Sequence, residues 1–133
     1  MAAPIFTERR WFGMANFYDF MIFVSGGEDW MRREACADIF CYMVDIDEWT
    51  RAPAMNECRR QHSSCVLGTS LYVFGGFDRD RRIGSLARLV DANKKIGDKA
   101  SCSWETFSIA APKQVLPLMV SLNSQEILIL GED

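Results

Sequence analysis

The chain has 133 residues, 49% hydrophobic and 25% charged, a make-up that suits one folded domain and excludes disorder along the whole length. Its formal charge is −3 with acids and bases interspersed, so it carries no long-range positive field to gather nucleic acid. The most apolar run, residues 17–24, includes Asp19 and falls far short of the about 20 apolar residues a membrane-crossing helix needs.

In chain order, Ala3 and Pro4 open a linking segment that reaches Arg9 and Arg10, with charges where a secretory leader needs its apolar stretch. Residues 11–17 read as a strand, Tyr18 and Asp19 as a turn, and residues 20–24 as a buried strand closed by Gly26 and Gly27. A polar loop follows, in which residues 28–38 form a helical turn at most. A third strand over 39–44 ends at Asp45, and a fourth covers 49–51. Ala52 and Pro53 then lead to Arg59 and Arg60, a strand over 63–67, a turn over 68–70, and a strand over 71–74 closed by Gly75 and Gly76. Residues 86–90, ending at Asp91, and 104–109 complete that set. After Ala111 and Pro112 comes a strand within 116–122 that starts beyond Pro117, because proline cannot donate to a ladder. A turn over 123–125 and a strand over 127–130, closed by Gly131, finish the chain.

The order repeats. Ala-Pro recurs after 49 and then 59 residues, and the glycine that closes the second strand recurs after 49 and then 56. Trp49 follows Gly26 by 23 residues and Trp104 follows Gly75 by 29. Four strands in about 50 residues make a propeller blade. The expected fold is therefore all-β, built of four-stranded antiparallel blades over 4–51 and 53–110, with the start of a third over 112–131. That is an incomplete ring.

These residues resemble the kelch family, whose blades carry a glycine pair, a third strand ending in an Asp-containing turn, and then a tryptophan. Gly26, Gly27, residues 42–45 and Trp49 match in one unit; Gly75, Gly76, residues 89–91 and Trp104 match in the next. Pro53, Met55, Arg59 and Arg60 are similar to the link between kelch blades. Leu89 stands where the family usually has tyrosine, and Glu132 where a second glycine would follow Gly131. The resemblance implies a kelch-type β-propeller that binds other proteins and is not an enzyme. It marks Gly26, Gly27, Trp49, Gly75, Gly76, Trp104 and Gly131 as structural, with both tryptophans packing between blades. In kelch propellers that grip peptides, the arginine before the first strand and the residue after the glycine pair share a rim. The matching residues are Arg10, Arg60, Glu28 and Phe77. Trp30, Arg32 and Arg33, with Asp78, Arg79, Arg81 and Arg82, adjoin them, and arginine with aromatic side chains is the composition of interface hot spots. The alternating charges of 78–82 equally fit a loop whose signs pair internally.

Chemistry is not expected. His62 is the only histidine, which leaves a nucleophile without a clear base and zinc without a ligand set. Copper oxidases on kelch-like propellers need several histidine and tyrosine ligands, and nucleotide loops need glycine patterns that this chain lacks. No metal and no cofactor are expected. Five cysteines (Cys36, Cys41, Cys58, Cys65, Cys102), odd in number and without a CxxC pair, suit buried apolar roles in a reducing, cytoplasmic compartment.

Propellers close with four to eight blades, so two and a half leave apolar faces and strand edges open. Other proteins are therefore the expected partners: further blades in cis or in trans, copies of itself, or a large complex. Neither nucleic acid nor a membrane is among them. The alternative reading is a fragment of a kelch-fold enzyme or a ubiquitin-ligase substrate adaptor whose other domains lie elsewhere.

Overall fold

The computed structural model describes residues 8–18, 20–92, 103–108, 118–123 and 125–130, and every element among them is a β-strand. β1 (Arg9–Arg10) leads into a sheet of β2 (Gly13–Phe17), β3 (Met21–Ser25), β6 (Ile39–Met43) and β7 (Glu48–Ala52). These four lie side by side in chain order and antiparallel throughout. The second sheet repeats the arrangement with β8 (Ser63–Leu67), β9 (Ser70–Phe74), β12 (Ser85–Leu89) and β13 (Trp104–Ser108). β14 (Leu118–Ser121) and β15 (Ile127–Leu130) form a two-stranded third sheet. β14 begins directly after Pro117, where the missing proline donor allows it to begin.

Period-two alternation decides which residues meet between sheets. In β2, Gly13, Ala15 and Phe17 are buried while Met14 and Asn16 are exposed. Ala15, Phe17, Met21, Phe23, Ile39 and Cys41 pack against Leu71, Val73, Ala87, Leu89 and Trp104 of the second sheet. Cys65 and Phe74, on that sheet's other face, pack against Met119, Ile127 and Ile129 of the third. Stacked antiparallel sheets of this order are propeller blades, and here they form part of a ring rather than a closed one.

Two local readings differ from the structure. Residues 28–38 hold no helical turn: β4 (Glu28–Asp29) and β5 (Glu34–Ala35) form a short hairpin, and β1 adds to its edge through Arg9–Asp29 and Arg10–Glu28. The Asp29 carboxylate accepts the Met31 and Arg32 backbone amides at 2.9 and 3.2 Å, which holds the chain in a tight turn instead. The second blade has the same feature, β10 (Phe77–Asp78) with β11 (Arg81–Arg82). The strand expected over 11–17 begins only at Gly13, because Trp11 sits at φ 57°, outside strand geometry.

The glycine pairs owe their place to a close approach. Gly27 donates to the Arg59 carbonyl at 2.8 Å and Arg59 donates to the Cys36 carbonyl at 3.0 Å. A Cβ on Gly26, at φ 53°, would lie 2.5 Å from that same Arg59 oxygen. The neighbouring Arg60 pairs instead with Phe77 of its own blade. The linking segment thus runs between the two blades and bonds to both. Trp104 Nε1 donates to the Pro53 carbonyl at 2.7 Å, a second tie across the seam. Trp49, its counterpart, is only half-buried and rests against Tyr42, ring centroids 5.2 Å apart. Gly131 lies outside the described residues, as do the first and third Ala-Pro pairs and Cys102.

Candidate protein-interaction rim

Each blade brings two consecutive arginines to one end of its sheet, and an extended backbone sends them to opposite sides. Arg9 turns inward: it donates to the Gly26 carbonyl at 3.1 Å and to the Asp38 carboxylate at 2.7 Å. Arg59, the largest fully buried side chain among the described residues, donates to the Gly75 and Ser85 carbonyls at 3.1 and 2.8 Å and to Ser85 Oγ at 2.7 Å. Burial pulls its pKa down, and Glu57 at 3.8 Å works the other way. These two brace the glycine turns and are not available to a partner. The sequence reading puts only Arg10 and Arg60 of the two pairs on the rim, by resemblance, and gives Arg9 and Arg59 no role; strand alternation is the signal for one.

Arg10 and Arg60 turn outward. Arg10 lies 4.0 Å over the Trp11 ring and 4.6 Å over the Trp30 ring, and its Nε donates to Glu28 at 2.6 Å. Arg60 lies 5.5 Å over Trp11 and 5.6 Å over Phe77, where Arg82 approaches at 6.0 Å. Glu28 also sits 4.0 Å from Arg60. The result is an alternating row of rings and guanidinium groups, Trp30, Arg10, Trp11, Arg60, Phe77 and Arg82, across two blades. Trp11, which sequence reasoning left out of the site, is its centre.

The two central arginines are not equivalent. Arg60 spends its terminal nitrogens on Gln61 Oε1 at 2.8 Å and the Arg79 carbonyl at 2.6 Å. Those of Arg10 donate to no described residue, while stacking and the Glu28 bond fix the group's position. A held guanidinium with free donors is a receptor for a carboxylate.

The flanking hairpins add exposed apolar surface and charge. Trp30 is 50% exposed and Met31 83%. Arg81 pairs with Asp78 of its own loop at 3.9 Å and more closely with Glu57 of the inter-blade link at 3.2 Å, so the loop meets its charges only partly from within. Arg32, Arg33, Arg79 and Arg82 form no ion pair with a described residue, so guanidinium groups are in surplus here. Between the hairpin tips lies a cleft of about 620 Å³, lined by Glu34, Ala35, Cys58 and residues 78–81.

A serine–histidine contact also occurs, at the seam of the blades. Ser25 Oγ lies 2.8 Å from both His62 Nε2 and Ser64 Oγ, packed under Gly13. Burial, with Arg59 nearby, lowers the His62 pKa to about 3, and its Nδ1 is buried without a partner. A base needs a pKa near the working pH and a group to orient it, so this histidine is fitted for packing rather than proton transfer. The Cys65 thiol is pushed up to about 11 by burial, and burial also raises Cys36 and Cys58, which leaves little thiolate. Among the described residues no three histidine, cysteine or acidic side chains gather as a metal site.

Sheets of this order and stacking, joined by a link bonded to both, define the class as β-propeller. The Kelch motif family model matches residues 58–86, from the inter-blade link to the start of β12. Beta-scruin of Limulus polyphemus is 34% identical over 76 residues, which cover 53% of this chain and 8% of that protein. Kelch-like protein 21 of Danio rerio is 43% identical over 54 residues, 41% of this chain and 8% of that protein. The chain thus matches under a tenth of the length of these relatives. The solved structure of YjhT superposes on 92% of this chain and 34% of its own, with a TM-score of 0.71 and 14% identity, a likeness of fold. The motif match, the kelch relatives and the shared propeller fold together support a kelch-repeat protein.

Proposed function

We infer that the protein is a non-catalytic interaction module that holds another protein on the arginine–aromatic rim, with Arg10 as its anchor. The observation that carries this reading is the fixed Arg10 group, stacked between Trp11 and Trp30, whose terminal donors meet no described residue. With the surplus of Arg32, Arg33, Arg79 and Arg82, it favours a partner segment that presents carboxylates, and Trp30 and Met31 supply the apolar contact. The kelch relatives support a role in protein interaction. Apolar faces at the ends of the blade stack support the further view that the protein works beside more blades or inside a larger assembly. Irregularly spaced cysteines in odd number support a reducing, cytoplasmic setting.

The test is binding of capped acidic, neutral and basic peptides of equal length to the protein, at low and high salt. The acidic peptide should bind and weaken as salt rises. Equal binding of all three, or acidic binding that survives Arg10→Met, overturns the reading.

A further inference from the structure

The opposite end of the inner strands carries a second cleft with a different character. It encloses about 290 Å³ and is lined by Asn16, Tyr18, Val66, Leu67, Gly68, Ser121 and Asn123, drawn from all three sheets. β2 starts at the arginine rim and ends at this cleft four residues on, roughly 13 Å away at strand rise. A quarter of the chain is charged, yet none of these lining residues is.

Tyr18 gives the cleft its shape. It occupies the turn after β2 at φ 53°, a conformation that costs a bulky residue roughly 1 kcal/mol or more. The matching turn after β8 is made by Gly68 at φ 61°, without that cost. Tyr18 is 64% exposed, so burial does not offset that cost. Its ring meets Phe17 edge-on at 4.8 Å and lies parallel to Phe20 at 6.4 Å, which holds one face toward solvent. Asn123 is occupied within its own turn, where it bonds Glu126 and the Gln125 amide. The Asn16 amide and the Tyr18 and Ser121 hydroxyls bond no described residue. All three are neutral groups that both donate and accept, as a peptide group does, and Val66 and Leu67 offer an apolar wall beside them.

We propose that this cleft is a second interaction site, for a neutral peptide segment, independent of the arginine rim. One set of blades then holds two partner segments by different physics, one dependent on salt and one not. Gly in place of Tyr18 would make the easier turn and the poorer site.

The test uses the isotope-labelled protein and pools of capped hexapeptides. A neutral pool rich in Ser, Thr, Asn, Pro and Val should shift the Asn16 side-chain amide and Gly68 backbone signals equally at low and high salt. An acidic pool should leave those signals in place. Tyr18→Asn, which tolerates the turn, should keep the melting temperature and weaken the response about tenfold. Asn16→Ala, which leaves the turn untouched, should weaken it too. No response to the neutral pool, a response to maltose alone, or an unchanged response in both variants overturns the proposal. None of these outcomes bears on Arg10, so the two sites fail separately.

Discussion

Blades 1 and 2 place the same pattern in two surroundings. In blade 2, Leu71, Val73, Leu89 and Trp104 face blade 1 and are buried. Their counterparts in blade 1, Ile22, Tyr42 and Trp49, face away from the described sheets and are only half-buried, although Val24 is buried. The arginine pairs divide in the same way. Arg59 is fully buried and spreads its bonds over two carbonyls and Ser85, whereas Arg9 bonds one carbonyl and Asp38, whose side chain is 38% exposed against 27% for Glu57. Arg60 is consumed by its own loop, whereas Arg10 keeps its donors. One repeat therefore serves two ends: blade 2 invests its polar groups in the seam, and blade 1 leaves more of them open to solvent.

The sharpest way to break that contrast is to cut both inward arginines. Arg59→Ala removes the buried guanidinium that bonds the Gly75 and Ser85 carbonyls, of which that of Ser85 keeps its bond from the Gly75 amide, and should cost about 3–5 kcal/mol, read by denaturant unfolding. Arg9→Ala should cost clearly less, since water reaches Asp38. Equal losses would remove the distinction. The tryptophans give the next effect: Trp104→Ala should cost about 3–5 kcal/mol and lose the Pro53 bond, with Trp49→Ala costing less. Smaller again is Gly13→Ala, whose methyl would lie 2.2 Å from Ser64 Oγ and 2.5 Å from Ser25 Oγ. Overpacking of this kind costs about 1–3 kcal/mol and should appear as a lower melting temperature.

His62 sharpens the comparison through pH. Its folded pKa of about 3 lies below its ordinary 6.5, so the unfolded chain takes up a proton that the folded seam refuses. Stability from this group is full above about pH 6.5 and falls by about 1.4 kcal/mol per pH unit below it, toward pH 3. Melting curves of the parent and His62→Gln should therefore converge on acidification. Curves that stay parallel from pH 7 to about 4 would mean that the seam admits the charge.

Much of the architecture was legible because glycine, proline and tryptophan act locally. A strand that ends at Gly26, or one that waits for Leu118 after Pro117, needs only its neighbours to explain it. The hairpins at 28–35 were not legible, since the Asp29 turn competes with a helical turn on similar residues and the edge contributed by β1 decides between them. The rim was half legible. Arg10, Arg60, Glu28 and Phe77 could be aligned by repeat, but the role of Trp11 depends on a positive φ that sets its ring between two blades. Nothing in a run of two arginines tells which donors a loop carbonyl will consume. That depends on where Arg79 comes to rest.

The central claim is that Arg10, held and unspent, anchors a partner, and paired substitutions test it most directly. Affinity for a capped acidic peptide, measured by calorimetry well below the melting transition, should fall at least about tenfold in Arg10→Met, whose melting temperature also drops because the buried Glu28 carboxylate loses its closest partner. Arg60→Met should lower the melting temperature and change affinity less. Loss of affinity in Arg60→Met with none in Arg10→Met would contradict the account.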